Sequence, residues 1–229
     1  MIKGLLFDKD ATLLDFEKTW GTWSLEYLSG LADGDAALLG RLAEAVQFDL
    51  EAMTFAPTSP VIAGTPEEGV DLILPLLPAW DRDALLAHSN DTAAAAQAHE
   101  IVPLDPLLSQ LKPLAKLGIA TNDSAEAARR HMRSLGVLTQ FDAIIGSDSG
   151  FGGKPAPGMC LAFLSQLGLE PDQVAMVGDS LHDMFAGRAA GMVCVGVTSG
   201  FAAHGDLAPH ADVVLPDVSH IPKWLAGLA

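Results

Sequence analysis

Short apolar runs alternate with helical patterns along most of this chain, and this alternation constrains its fold more than any other feature. The runs are bounded by polar residues and predict buried strands. The predicted strands are residues 2–7, 117–120, 141–145, 174–177, 192–197 and 213–215. The predicted helices between them are residues 106–116, 124–135, 157–167 and 181–190. Alternating strands and helices are typical of a parallel sheet covered on both faces, so the predicted fold class is α/β.

A helical segment is predicted between the first two strands. Leu and Ala dominate residues 16–99, acids are interspersed, and apolar residues recur three or four positions apart. Prolines punctuate the segment as turns, and we predict about four helices and no strand there. The sequence therefore predicts a core made of residues 1–15 and 100–229, with residues 16–99 inserted as a helical cap.

Composition excludes several classes of protein. The formal charge of −16 over 229 residues disfavours binding to nucleic acid or to an anionic membrane surface. Hydrophobic residues make up 49% of the chain, which excludes a disordered polar tail. We expect no signal peptide or membrane span, because long uncharged apolar stretches are missing from the sequence. Cys160 and Cys194 sit in apolar surroundings and are predicted to be buried thiols, so we expect a cytoplasmic location.

Polar residues follow several of the predicted strands at the point where each strand ends. Asp8 and Asp10 follow the first strand, Thr121 follows the second, and Asp179 follows a later one. In open α/β sheets, ligands bind beyond the carboxyl ends of the strands. We therefore expect these distant residues to meet in one crevice.

Clustered carboxylates need a counter-charge, and an oxygen-only set of aspartates suits Mg²⁺. Asp8, the Asp10 main chain and Asp179 would supply ligands, and Asp183 lies one helical turn beyond Asp179. Lys154, in the stiff segment Gly-Gly-Lys-Pro-Ala-Pro, would place an ammonium near the same crevice. A lysine, a threonine hydroxyl and Mg²⁺ together would bind a phosphoryl group.

These residues resemble the four motifs of the haloacid dehalogenase superfamily. The motifs are Asp8-Lys9-Asp10-Ala11-Thr12-Leu13, Thr121-Asn122, Lys154-Pro155 and Gly178-Asp179-Ser180-Leu181-His182-Asp183. The resemblance covers the whole chain. It implies a Rossmann-like core with a type 1 helical cap, most similar to that of phosphoglycolate-phosphatase-like members.

The resemblance implies catalytic roles for the two aspartates of the first motif. Asp8 would be the nucleophile that forms an aspartyl-phosphate. Asp10 would protonate the leaving oxygen and then activate water. The family usually has glycine where this chain has Ala11, which puts the rate and leaving-group access in question.

The resemblance also implies binding roles. Thr121 and Lys154 would bind the phosphoryl oxygens, and Asn122 would contact phosphate through its main chain or side chain. Asp179 would ligate Mg²⁺, and Asp183 would do so through water or would orient its neighbours. The predicted magnesium ligands are Asp8, Asp10, Asp179 and Asp183.

The predicted activity is Mg²⁺-dependent hydrolysis of a small, phosphoglycolate-like phosphomonoester. The expected partner is a small phosphorylated metabolite, and we expect the protein to bind neither nucleic acid nor a membrane. We expect it to be a monomer or a homodimer. If the leaving group carries a carboxylate, Arg41 or Arg82 would be its natural partner. Trp20, Trp23 and Tyr27 fall at helical spacing, which favours packing within the cap but leaves open a wall over the crevice.

Three other functions remain open. A haloacid dehalogenase uses the same nucleophile but needs no acid two residues later, so Asp10 favours phosphate. A receiver-like phospho-switch is disfavoured because Asp8 follows the first strand and a long helical segment comes next. Ala11 keeps open a phosphate-binding member without turnover.

Overall fold

Parallel strands and flanking helices make up residues 1–228, the part of the chain that the computed structural model describes. The strands are β1 (Gly4–Phe7), β2 (Phe48–Asp49), β3 (Thr54–Phe55), β4 (Lys116–Ala120), β5 (Ala143–Ile145), β6 (Val174–Gly178), β7 (Val193–Val197) and β8 (Val213–Leu215). The helices are α1 (Phe16–Ala32), α2 (Ala36–Ala45), α3 (Pro66–Ile73), α4 (Arg82–Ala93), α5 (Leu104–Leu111), α6 (Ala125–Ser134), α7 (Gly158–Leu167), α8 (Leu181–Ala189), α9 (His204–Leu207) and α10 (Ile221–Ala226).

β1 lies in the middle of the large sheet. The strand order is β5-β4-β1-β6-β7-β8, and each neighbouring pair is parallel. Phe7, at the end of β1, is level with Ile119 of β4 and Val177 of β6. The loops that follow these three strands therefore leave the sheet at one edge and at one height. This sheet confirms the predicted α/β class with a Rossmann-like parallel core.

Alternate residues of β1 pack on opposite faces of the sheet, because successive side chains of a strand point in opposite directions. Leu5 and Phe7 pack in one apolar cluster with α5, α6 and α10. Leu6 packs in a second cluster with α7 and α8. Both faces of the central strand are therefore covered, as its uninterrupted apolar sequence predicts.

The helical segment, residues 16–99, has an apolar cluster of its own. Each of its four α-helices contributes buried residues to that cluster, among them Leu28, Leu42, Val70 and Leu85. Each helix begins at a side chain that accepts a backbone N–H. These N-caps are Asp15, Asp35, Thr65 and Asp81. Several of the interspersed polar residues thus mark helix starts. The division of the chain at residues 15/16 and 99/100 remains a proposal.

The structure departs from the sequence-based predictions in several elements, among them helices α9 and α10, which the sequence analysis does not predict. β2 and β3 form a two-stranded antiparallel hairpin where no strand was expected. Two-residue strands are too short to show an alternating pattern. Helix α5 runs over Leu104–Leu111 rather than residues 106–116, because Pro106 is tolerated in its first turn and Pro113 stops it.

The two cysteines confirm their prediction, since both are buried and free. Across residues 1–228, none of the helices combines the length and apolar character needed to cross a bilayer.

Candidate active site

A buried lysine joins two carboxylates at the edge where β1 and β6 end. Asp8 directly follows β1, and its N–H donates to the Val177 carbonyl of β6 at 2.8 Å. Lys154 Nζ donates to Asp8 Oδ1 and to Asp183 Oδ1, each at 2.6 Å. Lys154 is 6% exposed and Asp183 is fully buried. Short charge-assisted bonds in a buried place fix the ammonium against Asp8.

Asp8, Asp179 and Asp183 form an acidic cluster, with carboxylate oxygens within 4.8 Å of one another. Burial raises the pKa of Asp8 to about 7, and the Lys154 ammonium offsets part of that rise. Burial, with the Asp8 and Asp183 carboxylates, also raises the pKa of Asp179 well above its ordinary value. With all three carboxylates ionised, the cluster would carry three negative charges against the single positive charge of Lys154. Its oxygen-only donor set and its unmet charge fit a hard divalent cation.

Both oxygens of Asp183 are engaged by the protein. Oδ1 accepts from Lys154, and Oδ2 accepts from Ser180 Oγ at 2.6 Å and from the Ser180 N–H at 3.1 Å. Ser180 is the N-cap of α8. A side chain at Gly178 would clash with the Asp183 carboxylate. Asp183 is therefore built to hold Lys154 and Ser180, which agrees with an indirect role at a metal.

The Asp10 carboxylate is bonded by Trp20 and Lys9 and lies outside the acidic cluster of Asp8, Asp179 and Asp183. Its Oδ1 accepts from Trp20 Nε1 at 2.7 Å, and Lys9 Nζ lies 3.0 Å from its Oδ2. Trp20 belongs to α1, so this bond links the helical segment to the core. A metal contact from Asp10 would come from its main chain and remains a proposal.

Thr121 and Asn122 line the crevice beyond β4. Thr121 is 1% exposed, and its Oγ1 accepts from the Asp123 N–H at 3.1 Å, so the hydroxyl proton is left to donate. The Asn122 side chain accepts from the Lys154 N–H at 2.8 Å. Its amide donates to the carbonyls of Lys154 at 3.0 Å and Ala63 at 2.7 Å. A phosphate contact from Asn122 would therefore come from its main chain.

A cavity of about 180 Å³ opens between these core residues and the helical segment. Asp8, Asp10, Thr121, Lys154 and Asp179 line one end of it. Residues of α1, α3 and α4 and of the segment 61–65 line much of the rest. The structure thus brings the predicted catalytic and phosphate-binding residues to one end of one cavity, with Asp183 buried behind Lys154.

The sequence profile described as Haloacid dehalogenase-like hydrolase matches residues 59–197, well over half of the chain. The chain belongs to this family.

Two curated relatives of this family member are bacterial proteins named as phosphatases. A probable phosphatase, IndB, of Dickeya dadantii is 34% identical over 101 residues, which is 44% of this chain and 44% of the relative. A phosphoglycolate phosphatase of Yersinia pseudotuberculosis is 36% identical over 100 residues, 43% of each chain. The matches thus span less than half the length of these relatives.

A solved structure of the same fold covers the whole haloacid dehalogenase-like chain. The 2-haloacid dehalogenase of Pseudomonas syringae pv. tomato superposes with a TM-score of 0.70 at 23% identity, over 100% of both chains. At this identity the likeness shows the fold alone.

Ala11 is where this haloacid dehalogenase-like chain departs from the motif that it resembles. Its φ is 60°, in the left-handed region that favours glycine. The Ala11 carbonyl accepts from Ser199 Oγ at 2.7 Å, and its N–H donates to the Leu14 carbonyl at 2.7 Å. The loop therefore keeps a glycine-like backbone, held from both sides, with alanine in it.

Sequence reasoning missed Lys9, which lies between the two predicted catalytic aspartates. Lys9 is fully buried, and its Nζ lies 2.8 Å from Asp123 Oδ2 and 3.2 Å from His131 Nδ1. Burial lowers the pKa of Lys9, but the Asp10 and Asp123 carboxylates outweigh burial and raise it. A charge at the end of a buried strand, beside two acids, is the signal that would have found it.

Proposed function

We propose that this chain is a Mg²⁺-dependent phosphatase that hydrolyses a small phosphomonoester through an aspartyl-phosphate. The contact that carries the proposal is Lys154 Nζ on Asp8 Oδ1, within an acidic cluster at the end of a cavity. Within residues 1–228, the other Asp8 oxygen accepts no hydrogen bond. That oxygen is therefore the one available to attack phosphorus.

The chemistry has two steps. Asp8 Oδ2 would form a bond to phosphorus while the ester oxygen leaves with its electron pair and takes a proton from Asp10. Water would then attack phosphorus, give a proton to Asp10 and release Asp8 and inorganic phosphate. Lys154 and Thr121 would hold the phosphoryl oxygens during both steps.

Asp8 and Asp179, with the Asp10 main chain, would hold the Mg²⁺, and Asp183 would support it indirectly. When bound, Mg²⁺ supplies positive charge that offsets the negative charge of the carboxylates and the phosphoryl group. The raised pKa of Asp179 and the close approach of the cluster's oxygens support this assignment.

Hydrolysis of p-nitrophenyl phosphate tests the proposal directly. We expect turnover with Mg²⁺, loss of turnover with EDTA and recovery when Mg²⁺ is added back. Asp8→Asn removes the nucleophile and should lower kcat about 1,000-fold or more. Asp172→Asn makes the same change at an exposed position and serves as the control. Full turnover in EDTA, or by Asp8→Asn, would refute the proposal.

The alternatives predict other results. A dehalogenase would release chloride from 2-chloropropionate and needs no acid two residues after the nucleophile, so the presence of Asp10 favours phosphate. A binding-only member would bind inorganic phosphate without turning over any ester.

The proposal of a small substrate is supported by the cavity volume, and the name of the Yersinia relative supports a phosphoglycolate-like ester. A cytoplasmic location and a monomeric or homodimeric state stay predictions.

A further inference from the structure

Four residues of the helical segment that line the cavity each carry a buried polar atom without a hydrogen-bond partner among residues 1–228. The atoms are Trp23 Nε1, Ser24 Oγ, Tyr27 Oη and Asn90 Oδ1. Ser24 is 2% exposed and Tyr27 is 8% exposed. Tyr27 Oη has the Ser89 hydroxyl nearby, but outside hydrogen-bonding geometry. Buried polar groups are normally paired, so four such groups around one cavity indicate a ligand that pairs with them.

The four groups offer a mixed set of hydrogen bonds. The Trp23 indole N–H can only donate, Asn90 Oδ1 can only accept, and the two hydroxyls can do both. Trp23 and Tyr27 are stacked, with ring centroids 4.9 Å apart, and so present a flat apolar surface beside the polar atoms. A ligand that satisfies this set needs both a donor and an acceptor.

The helical wall of the cavity carries no charged side chain within residues 1–228. Arg82 lies outside the cavity and pairs with Asp71 at 2.6 Å, with 43% of its side chain exposed. Arg41 is exposed and also lies outside the cavity. The expectation that one of them pairs with a carboxylate on the substrate therefore finds no support in the geometry.

The phosphoryl end of the cavity is already rich in negative charge. Among residues 1–228, four carboxylates line the cavity but only one ammonium, that of Lys154. Lys154 is already shared between Asp8 and Asp183. A second anionic group on the substrate would lie in an apolar wall without a counter-ion, which is costly.

The cavity holds a small leaving group within its walls. Benzene fits an apolar cavity of about 150 Å³, and the phosphoryl group takes part of the space here. With a volume of about 180 Å³, the cavity therefore encloses only a few non-hydrogen atoms beyond the phosphoryl group, and a larger leaving group such as p-nitrophenol extends through its open side.

We infer that the pocket formed by Trp23, Ser24, Tyr27 and Asn90 binds the leaving group, and that it selects a small, uncharged alcohol bearing a hydroxyl or amide group. This inference rests on the proposed phosphatase function and deepens it. In place of the phosphoglycolate-like ester that the name of the Yersinia relative supports, it assigns an uncharged ester of similar size, since the pocket offers hydrogen bonds but no positive charge.

Two isosteric esters test the inference. Phosphoglycolate and glycolamide phosphate differ only in carboxylate against carboxamide, and each leaving group has five non-hydrogen atoms by its formula. We expect kcat/KM of the wild-type protein to be about 10-fold or more higher for glycolamide phosphate. Equal or higher kcat/KM for phosphoglycolate would overturn the inference.

A charge introduced into the pocket should reverse the preference. Asn90→Lys places an ammonium at the helical wall and should raise the phosphoglycolate-to-glycolamide-phosphate ratio of kcat/KM about 10-fold or more. Ala87→Lys adds the same charge at an exposed position of the same helix and should leave the ratio within about twofold. If Asn90→Lys fails to fold, the wild-type comparison alone decides.

Binding separates failure of the inference from failure of the proposed function. Calorimetric titration of Asp8→Asn with each ester in Mg²⁺ measures recognition without turnover. A lower Kd for glycolamide phosphate would support the pocket even if no ester, including p-nitrophenyl phosphate, were hydrolysed. In that case only the phosphatase proposal would fall. Equal Kd values, or tighter binding of phosphoglycolate, would overturn the inference.

Discussion

His131 shows at the residue scale how burial fixes the state of a titratable group. Its Nδ1 lies 3.2 Å from Lys9 Nζ and its Nε2 lies 3.0 Å from the Ala93 carbonyl. These partners assign one neutral tautomer, with Nδ1 accepting from Lys9 and Nε2–H donating to Ala93. A second proton on the ring would face the Lys9 ammonium.

That arrangement gives a pH-dependent stability. Burial and the Lys9 charge lower the pKa of His131 from 6.5 to about 4. Between pH 6.5 and 4, the unfolded chain protonates His131 more readily than the folded protein does. The stability that the neutral ring contributes is therefore complete above pH 6.5 and is lost as pH falls. The Asp10 and Asp123 carboxylates also contact Lys9, and the raised pKa of Asp8 makes its own contribution to stability increase as pH falls. The contribution of His131 is therefore measured as a difference between the wild type and a His131 variant.

We expect the wild type to lose about 2 kcal/mol more free energy of unfolding than His131→Gln between pH 7.5 and pH 5. Urea unfolding at the two pH values measures this difference. An identical loss in both proteins would contradict the assignment of a buried neutral histidine.

Ala11 gives a second prediction at this scale. A left-handed φ costs a non-glycine residue about 1–2 kcal/mol, part of which the entropy of an unfolded glycine and the buried methyl group offset. Ala11→Gly should therefore raise the free energy of unfolding by about 0.5 kcal/mol in urea titrations. Ala87→Gly, in helix α4, should lower it by about 1 kcal/mol. A loss at both positions would mean that the Ala11 methyl group matters more than its backbone.

At the scale of elements, Ser180 connects helix capping to the acidic cluster. Its Oγ accepts from the Asp183 N–H and donates to Asp183 Oδ2. Ser180→Ala should cost about 1 kcal/mol of stability as a lost N-cap. It also removes the shorter of the two hydrogen bonds to Asp183 Oδ2, so we expect kcat to fall about 10-fold with p-nitrophenyl phosphate.

Asp35→Ala removes the N-cap of α2, which accepts from the N–H groups of Ala37 and Leu38 away from the cavity. It should cost a similar amount of stability and leave kcat unchanged. Parallel falls in kcat for both variants would show that stability alone explains the effect.

Elements of the sheet were easier to predict than those of the helical segment. Val213–Leu215 agrees with its prediction, and Val174–Gly178 exceeds it by one residue, because a buried parallel strand is a continuous apolar run with polar ends. Asp8 and Asp179 could be placed in one crevice for the same reason. The contacts of Lys9 with Asp10, Asp123 and His131 could not be predicted. They depend on how helix α6 packs against the core and on the bond that Trp20 of α1 donates to Asp10.

Across the whole molecule, the charge of −16 opposes the approach of a doubly charged ester. Salt screens this repulsion over distances of about 10 Å at 0.1 M. At fixed Mg²⁺, kcat/KM for p-nitrophenyl phosphate should rise about twofold between 10 and 150 mM NaCl, while kcat at saturation stays constant. A fall in kcat/KM would show that the local field of Lys154 and the bound cation dominates approach.

The central place of β1 in the sheet has a consequence for biosynthesis. β1 leaves the ribosome first, but its neighbours β4 and β6 end only at Ala120 and Gly178, and the lysine that neutralises Asp8 is residue 154. Until β4 is made, this apolar strand has no partner, and until β6 is made it has a partner on one side only. We therefore expect nascent chains arrested before residue 178 to be protease-sensitive and to depend on chaperones, and full-length chains to become resistant in one late step.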